Sequence, residues 1–168
     1  MPQMPSCQSL HWGGFVLAVG GLAVAVFFMQ GVLGLAPCPL CILDRWVTGL
    51  AAAVFLAAAL HNPGALGQRL YAGLGLLACA AGLGLAGRHV WLQNLPPGRV
   101  PDCTPGLDYL LEQFPPMEVL RTVLNSAGEC AEVAWTFAGL TIPQQTLLFF
   151  GALALVCAAV LLKTRGAR

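Results

Sequence analysis

The sequence predicts an all-α membrane protein, a bundle of four transmembrane helices with a long loop between the third and the fourth. Of its 168 residues, 58% are hydrophobic and only 9% are charged, whereas about a quarter of the residues in an average soluble domain are charged. Four apolar segments are long enough to cross about 30 Å of hydrocarbon at about 1.5 Å per residue. Because an unsatisfied backbone amide in lipid costs several kcal/mol, these segments must cross as helices. We therefore expect a single integral membrane domain over residues 1–168.

The four transmembrane helices are expected at about 12–35, 43–61, 70–91 and 145–162. The first apolar run exceeds the roughly 7 to 15 residues of a signal-peptide core and has no Lys or Arg before it, so we expect an uncleaved helix. The sequence H-N-P-G-A-L-G-Q-R joins the second helix to the third, and loops at about 36–42 and 92–144 form the other two connections. An even number of spans returns both termini to one side, which places these two loops together on the opposite side.

The distribution of charge predicts the orientation. The cations with no acidic residue near them in the sequence lie in the second connection and at the C-terminus: Arg69, Lys163, Arg165 and Arg168. Cytoplasmic loops carry an excess of Lys and Arg, so we expect both termini in the cytoplasm and the other two loops in the periplasm. The net charge of +1, without any basic block, argues against a nucleic-acid-binding function.

Two short runs in the long loop have apolar residues at helical spacing. They are Leu107, Leu110, Leu111 and Phe114, followed beyond two prolines by Leu120, Val123 and Leu124. Short amphipathic helices of this kind can lie in the membrane interface. Packing of the loop on itself explains the same pattern, and the sequence does not decide between the two.

Three of the seven cysteines have a structural explanation. Cys79 and Cys157 fall inside apolar helices, and Cys7 lies in the short N-terminal tail. A thiol in such surroundings behaves as a small hydrophobic group. The chemistry of the chain is therefore expected at the other four cysteines.

Those four cysteines form two sets on the same side of the membrane: Cys38 and Cys41 in a Cys-x-x-Cys at the start of the second helix, and Cys103 and Cys130 in the long loop. They are compatible with two structural disulfides, a four-thiolate metal site or a redox relay. A bridge across residues 103–130 would contribute roughly 3 to 4 kcal/mol in the chain-entropy model, but a Cys-x-x-Cys ring is too small to constrain the unfolded chain much. Structure alone does not explain the first pair, and a relay is favoured.

Cys41 has the surroundings of a reactive thiol. It lies near a helix N-terminus, where peptide dipoles favour negative charge, and Arg45 follows one turn later on the same face. Both features stabilise a thiolate, which is the nucleophile in exchange reactions. Arg45 is also explained as an interfacial anchor paired with Asp44, and His89, near the end of the third helix, as a headgroup contact.

Three stretches together resemble the bacterial disulfide bond formation protein B (DsbB) family. They are P-C-P-L-C-I-L-D-R, G-R-H-V-W-L-Q after the third helix, and S-A-G-E-C-A-E-V-A-W-T-F-A-G-L-T-I-P-Q before the fourth. The resemblance extends from the first helix to the last. It implies a bacterial inner-membrane thiol oxidase that reoxidises the periplasmic thioredoxin-fold oxidant DsbA and passes the electrons to a quinone, ubiquinone or menaquinone.

The resemblance also implies a role for each cysteine of the two pairs. The thiolate of the reduced partner would attack Cys103 of a Cys103–Cys130 disulfide, and Cys130 would then attack Cys38 of a Cys38–Cys41 disulfide. The freed Cys41 would deliver electrons to the quinone. Because a quinone dissolves in lipid, the pair that meets it should lie at the bilayer edge, whereas the loop pair must reach a soluble protein.

The same resemblance assigns Arg45 to support of the thiolate charge and His89 to the neighbourhood of the quinone. Two alternatives remain at the level of sequence. A vitamin K epoxide reductase-like enzyme also combines four helices with two cysteine pairs, but its Cys-x-x-Cys comes late in the bundle. A non-enzymatic membrane protein holding a metal on four thiols would retain metal through purification.

Overall fold

The computed structural model describes residues 6–96, 98–103, 107–125 and 128–165, with the side chain of Asp108 left out. Arg168 of the expected cytoplasmic cluster lies outside these residues. The helices are α1 (Cys7–Ala23), continued by a π-helical segment (Val24–Val32), α2 (Pro39–His61), α3 (Ala65–Gln93), α4 (Leu107–Gln113), α5 (Pro116–Asn125), a single 3-10 turn (Gly128–Ala131) and α6 (Ile142–Arg165). Strands β1 (Thr136–Phe137) and β2 (Leu140–Thr141) form an antiparallel hairpin in which Thr136 faces Thr141.

The fold class is confirmed within the described residues. Four helices are long and apolar enough to cross a membrane: Cys7–Val32, Pro39–His61, Ala65–Gln93 and Ile142–Arg165. They are longer than the apolar segments of the sequence because capping residues and prolines, and not hydrophobicity, determine where the helices begin. The Ser6 hydroxyl caps α1 by accepting a hydrogen bond from the Ser9 N–H at 3.1 Å, and Pro39 occupies the first turn of α2, where its missing N–H does no harm.

The π-helical segment is the irregular part of the first span. None of its nine residues is buried, and Phe27 and Val32 are each 73% exposed. The wider winding ends at Val32, and Gly34 follows it with a φ of +64°, a left-handed conformation that glycine adopts without strain. Segments of this kind are frequent at functional sites, and this one lines a cavity at the end of the bundle that carries the Cys-x-x-Cys.

Small residues hold the four long helices close together. A Cβ atom at Gly82 of α3 would lie 2.3 Å from the Phe150 ring of α6, and one at Gly14 of α1 would lie 2.7 Å from the Phe55 ring of α2. Such close approach is what stabilises helix pairs in lipid, where no hydrophobic force acts between them. The bundle is therefore tightly packed in its middle.

The long loop folds over one end of the bundle. The expected helical spacing is present as α4 and α5, whose inner faces form one buried cluster with the ends of α2 and α3 and with the 3-10 turn: Leu40, Leu92, Leu107, Leu110, Val119, Val123 and Cys130. Large apolar side chains of α4, of α5 and of the link between them also face outward: Tyr109, Leu111, Phe114, Met117 and Leu120. The loop thus packs on itself and on the bundle, and a membrane-lying outer face stays a prediction.

The opposite end of the bundle is closed by polar contacts. The buried Nε2–H of His11 donates to Gln68 Oε1 at 2.7 Å, and the Gln68 amide donates to Asn62 Oδ1 at 3.3 Å. Asn62 ends α2 in a left-handed conformation with φ of 38°. Arg69 donates to the carbonyl oxygen of Thr164 at 2.6 Å. These bonds tie the second connection to α1 and α6.

Candidate active site

The helix N-terminus of α2 fixes the Cys-x-x-Cys pair. Cys38 is the N-cap residue, with extended backbone (φ −72°, ψ 163°), and its Sγ accepts a hydrogen bond from the Cys41 N–H at 3.4 Å. The two sulfur atoms are 3.0 Å apart. A disulfide bond is about 2.05 Å long, so the two sulfurs reach bonding distance through a small change of side-chain torsion.

His89 of α3 lies against this pair. Its side chain is buried and makes a hydrogen-bonding contact with the Cys41 thiol. One ring nitrogen and the sulfurs of Cys38 and Cys41 all lie within 4.8 Å of one another. An imidazole at this distance can exchange a proton with Cys41 or hydrogen-bond to its thiolate.

Cys130 joins the cluster from the loop. It lies in the 3-10 turn at 1% exposure and contacts Cys38. The hydrogen bond with Cys130 raises the pKa of Cys38 to about 12; burial adds to this effect, and the bond with Cys41 opposes it. Cys38 therefore keeps its proton at neutral pH when it is reduced, and it presents that proton to the Cys130 sulfur.

Cys103 is separate from the other three cysteines of the predicted site. Its side chain is exposed. The backbone N–H of Gly128 donates to the carbonyl oxygen of Asp102 at 3.3 Å, so the chain just before Cys103 runs beside the turn that carries Cys130. The structure thus brings Cys38, Cys41 and Cys130 together and leaves Cys103 on the surface next to them.

Arg45 reaches the first helix instead of Asp44. Its guanidinium donates to Gln30 Oε1 at 2.7 Å and to the carbonyl oxygen of Ala25 at 3.0 Å. Both acceptors belong to the π-helical segment. Arg45 and Cys41 line the same cavity, so Arg45 contributes positive charge there while it holds the segment in place.

Asp44 is a cavity residue that the sequence interpretation missed. Its side chain is buried, and Oδ1 has no hydrogen-bond partner among the described residues. The sequence suggested that Asp44 forms an ion pair with the adjacent Arg45. A carboxylate inside an apolar span is costly and usually functional, and this property of Asp44 was the better indication. Asp44 can exchange a proton with a molecule in the cavity.

The cavity itself occupies about 980 Å³ between the first span, α2, α6 and the loop. Most of its lining is apolar and includes Val16, Leu17, Met29, Trp135 and Phe149. The sulfur and ionisable groups on its wall include those of Cys38, Cys41, Asp44, Arg45, His89 and Cys130, and Glu129, Glu132 and several uncharged polar residues also line it. A largely apolar cavity with a few convergent polar groups is the usual form of a site for a small organic molecule, and about 300 to 1,000 Å³ is the usual size.

The sequence matches one family over most of its length. The family model described as "Disulfide bond formation protein DsbB" matches residues 8–160. The chain is 52% identical to disulfide bond formation protein B of Nitrosococcus oceani over 137 residues, which cover 82% of this chain and 80% of that protein. It is 51% identical to the protein of the same name from Hahella chejuensis, over 89% of this chain and 90% of that protein. It is 56% identical to the protein of the same name from Chromohalobacter salexigens, over 76% of this chain and 75% of that protein.

Proposed function

The chain belongs to the DsbB family of bacterial disulfide bond formation proteins, and on that basis we propose how its residues carry electrons from a periplasmic dithiol to a membrane quinone. The resemblance expected from the cysteine motifs is confirmed. The protein is a multi-pass inner-membrane enzyme, a thiol:quinone oxidoreductase that generates disulfide bonds. Which residues perform each step is our proposal.

The relay begins at Cys103. A thiolate of reduced DsbA, a thioredoxin-fold protein, attacks Cys103 in the Cys103–Cys130 disulfide, which gives a mixed disulfide and frees the Cys130 thiolate. The second DsbA thiol then displaces Cys103, so that DsbA leaves oxidised and two electrons remain on the loop pair. The exposed side chain of Cys103 supports this role, because the attacking group belongs to a folded soluble protein.

Cys130 carries the electrons inward. Its thiolate attacks Cys38 in the Cys38–Cys41 disulfide, and Cys41 leaves as a thiolate. Attack by the Cys103 thiolate on Cys130 re-forms the loop disulfide and leaves both electrons on Cys38 and Cys41. The observation that carries the proposal is the contact between the buried Cys130 and Cys38, two residues 92 positions apart in the sequence, beside the cavity.

The cavity residues fit a quinone as the electron acceptor. A quinone takes up two electrons and two protons to become a quinol, while the Cys38–Cys41 disulfide re-forms. The apolar lining suits a lipid-soluble ring, and the unpartnered Asp44 Oδ1 and the His89 ring are cavity groups able to exchange protons. Arg45 favours the negative charge on Cys41 and on a reduced ring. Ubiquinone and menaquinone both satisfy this description.

The orientation in the membrane is part of the same proposal. Cys38, Cys41 and Cys130 gather at one end of the bundle, and the described cations Arg69 and Arg165 lie at the other. We place the cysteine end in the periplasm and both termini in the cytoplasm, because Arg69 and Arg165 at the opposite end have no acidic residue near them in the sequence and cytoplasmic loops carry an excess of Lys and Arg. In this orientation the long loop meets DsbA and the cavity meets the quinone pool of the bilayer.

The alternatives are less well supported. Membership of the DsbB family, with the Cys-x-x-Cys directly after the first helix, disfavours a vitamin K epoxide reductase-like enzyme. A site that holds one metal on all four thiols disagrees with the exposed position of Cys103, away from the cluster that Cys38 and Cys41 form with His89.

The proposed function is tested with the purified protein, reduced DsbA and ubiquinone or menaquinone. We expect one quinol for each DsbA disulfide formed, with thiols followed by a colorimetric reagent and quinol by its ultraviolet absorbance. Cys41→Ser should form no quinol, whereas the matched control Cys7→Ser, altered far from the cavity, should turn over normally. Absence of quinol with the wild type, or normal turnover by Cys41→Ser, would refute the relay.

A further inference from the structure

We propose that the reduced site binds one soft divalent metal ion, with Zn²⁺ as the representative, through Cys38 Sγ, Cys41 Sγ and a ring nitrogen of His89, and that the bound ion stops turnover. The binding site follows from the geometry alone. Only the inhibitory effect rests on the proposed function.

The three ligand atoms already converge. All lie within 4.8 Å of one another, and the two sulfurs are 3.0 Å apart. Zn²⁺ binds sulfur at about 2.3 Å and imidazole nitrogen at about 2.0 to 2.1 Å, so ligand atoms around a tetrahedral zinc ion are roughly 3.5 to 3.8 Å apart. Changes of about 1 Å in side-chain position therefore turn the observed cluster into a three-ligand site.

The ligands also have the chemistry and the supports of a metal site. Two cysteines in a Cys-x-x-Cys and one histidine from another element make a donor set that suits zinc and other soft ions. The sulfurs are presented by the first turn of α2, and the imidazole by the last part of α3. Rigid helices hold all three donors, so little order has to be created when the ion binds.

The residues around the three ligands provide a route for the metal ion and a candidate fourth ligand. Cys38, Cys41 and His89 all line the 980 Å³ cavity, through which an ion can reach them. Three protein ligands leave a fourth position for water or for Cys130, which contacts Cys38. We expect Cys130 to strengthen binding without being essential, because it approaches the cluster only from the Cys38 side.

Binding depends on the redox state of the pair. Thiolates bind metal ions, whereas a disulfide offers no comparable donor, so the ion enters only after Cys38 and Cys41 have been reduced. Entry replaces the two thiol protons, which are released to solvent, and no electron is transferred. The bound ion then withholds the Cys41 thiolate from the quinone and keeps the Cys38–Cys41 disulfide from re-forming, and turnover stops.

The test uses the full chain in detergent, freed of metal with a chelator and reduced without oxygen. Zn²⁺ is measured by competition with a chromophoric chelator, and Co²⁺ serves as an optical probe through its thiolate charge-transfer and tetrahedral d–d absorption. We expect one ion per reduced chain and none on the oxidised chain. Equal binding to oxidised and reduced protein would overturn the proposal.

Variants identify the ligands. Cys41→Ser and His89→Ala should each weaken Zn²⁺ binding by about a hundredfold or more, since loss of an outer-shell partner alone costs about 10- to 100-fold. His89→Gln, which keeps a side chain of similar size, should do the same. Cys130→Ser should weaken binding by about tenfold. Cys7→Ser and Cys103→Ser, whose sulfurs lie outside the cluster, should bind like the wild type. Unchanged binding in Cys41→Ser or in both His89 variants would overturn the assignment.

The metal inference and the proposed function fail separately. Quinol formation that continues unchanged with saturating Zn²⁺ bound to the reduced protein would refute inhibition and leave the relay intact. An enzyme that forms no quinol in metal-free buffer but binds one Zn²⁺ when reduced would refute the relay and leave the metal site intact.

Discussion

The two cysteine pairs are constructed in opposite ways. Cys38 and Cys41 are three residues apart, and the first turn of α2 holds their sulfurs 3.0 Å from each other. Cys103 and Cys130 are 27 residues apart in the sequence; one is exposed, and the other is buried against the first pair. In the proposed relay, the pair that closes beside the cavity is built on one helix, and the pair that serves two different partners is distributed over a loop.

Removal of Cys130, the residue that connects the two pairs, should have the largest effect on activity. We expect Cys130→Ser to lower DsbA oxidation by about a thousandfold or more, as loss of an essential nucleophile does, because no other thiol connects Cys103 with Cys38. A small dithiol reaches the Cys38–Cys41 disulfide directly, so quinol formation with dithiothreitol as the donor should persist. Stopped-flow quinol absorbance with both donors measures the difference.

Cys7→Ser is the matched control and should use both donors normally. If Cys130→Ser oxidised DsbA at the wild-type rate, Cys38 would have to accept electrons from the partner directly. The division of labour within the loop pair would then be wrong.

Alkylation of Cys38 is the second test. The pKa of about 12 is above the ordinary thiol value of about 8.5, so between pH 8 and 11 the reactive thiolate fraction of Cys38 should rise about tenfold per pH unit without levelling off. In Cys130→Ala, which removes the largest cause of the shift, the pKa should fall and alkylation at pH 8 should be at least about tenfold faster. Mass spectrometry of reduced, chelator-treated protein after timed alkylation gives both rates.

Exposed Cys103 should be alkylated first in either protein and serves as the internal reference. If the alkylation rate of Cys38 levels off near pH 9, or is the same with and without Cys130, the hydrogen bond between the Cys38 and Cys130 thiols does not exist. The contact that links the two pairs would then be refuted.

Substitution of Arg45 tests whether electron transfer from the Cys38–Cys41 pair to quinone depends on the cavity beside the pair. Arg45→Ala should raise the KM for quinone by about tenfold, the equivalent of about 1.4 kcal/mol, because it removes both the positive charge and the bonds to the π-helical segment. Gln30→Ala removes one of those bonds and keeps the charge. Steady-state kinetics with varied quinone and saturating DsbA distinguish the two contributions.

An equal KM increase in both variants would make Arg45 a positioning residue, and an increase in Arg45→Ala alone would make its charge the important property. Arg99→Ala, in the long loop, is the control for loss of a cation. Unchanged quinone kinetics in Arg45→Ala would exclude Arg45 from the site.

Asp44→Asn should have the smallest effect. Asparagine keeps the shape of the side chain but does not take up or release a proton. Because His89 can also exchange protons in the cavity, we expect kcat to fall by only about threefold to tenfold, below the roughly 10²-fold loss of a sole general acid or base, and its pH dependence to flatten. The apparent Tm should stay equal or rise, because a buried carboxylate oxygen without a partner is replaced by a neutral amide. An unchanged pH profile would remove Asp44 from proton transfer.

Sequence alone predicted the parts of this molecule that depend on local pattern. Apolar length gave the four spans, and the Cys-x-x-Cys with its prolines marked the helix start at which Cys38 and Cys41 lie together. The contact between Cys130 and Cys38 followed only from the family resemblance, because contacts across 92 residues depend on how the loop folds. The partners of Arg45 and the burial of Asp44 depend on a change in helical winding that leaves no periodicity signal.

That winding, the π-helical segment, has a consequence for substrate range. The segment forms one wall of the cavity through Val24, Ala25 and Met29, and none of its nine residues is buried. In the proposed quinone site, a head group that enters through this wall would leave its isoprenoid chain among the acyl chains of the bilayer. We then expect turnover to depend on the quinone ring and little on the length of the tail.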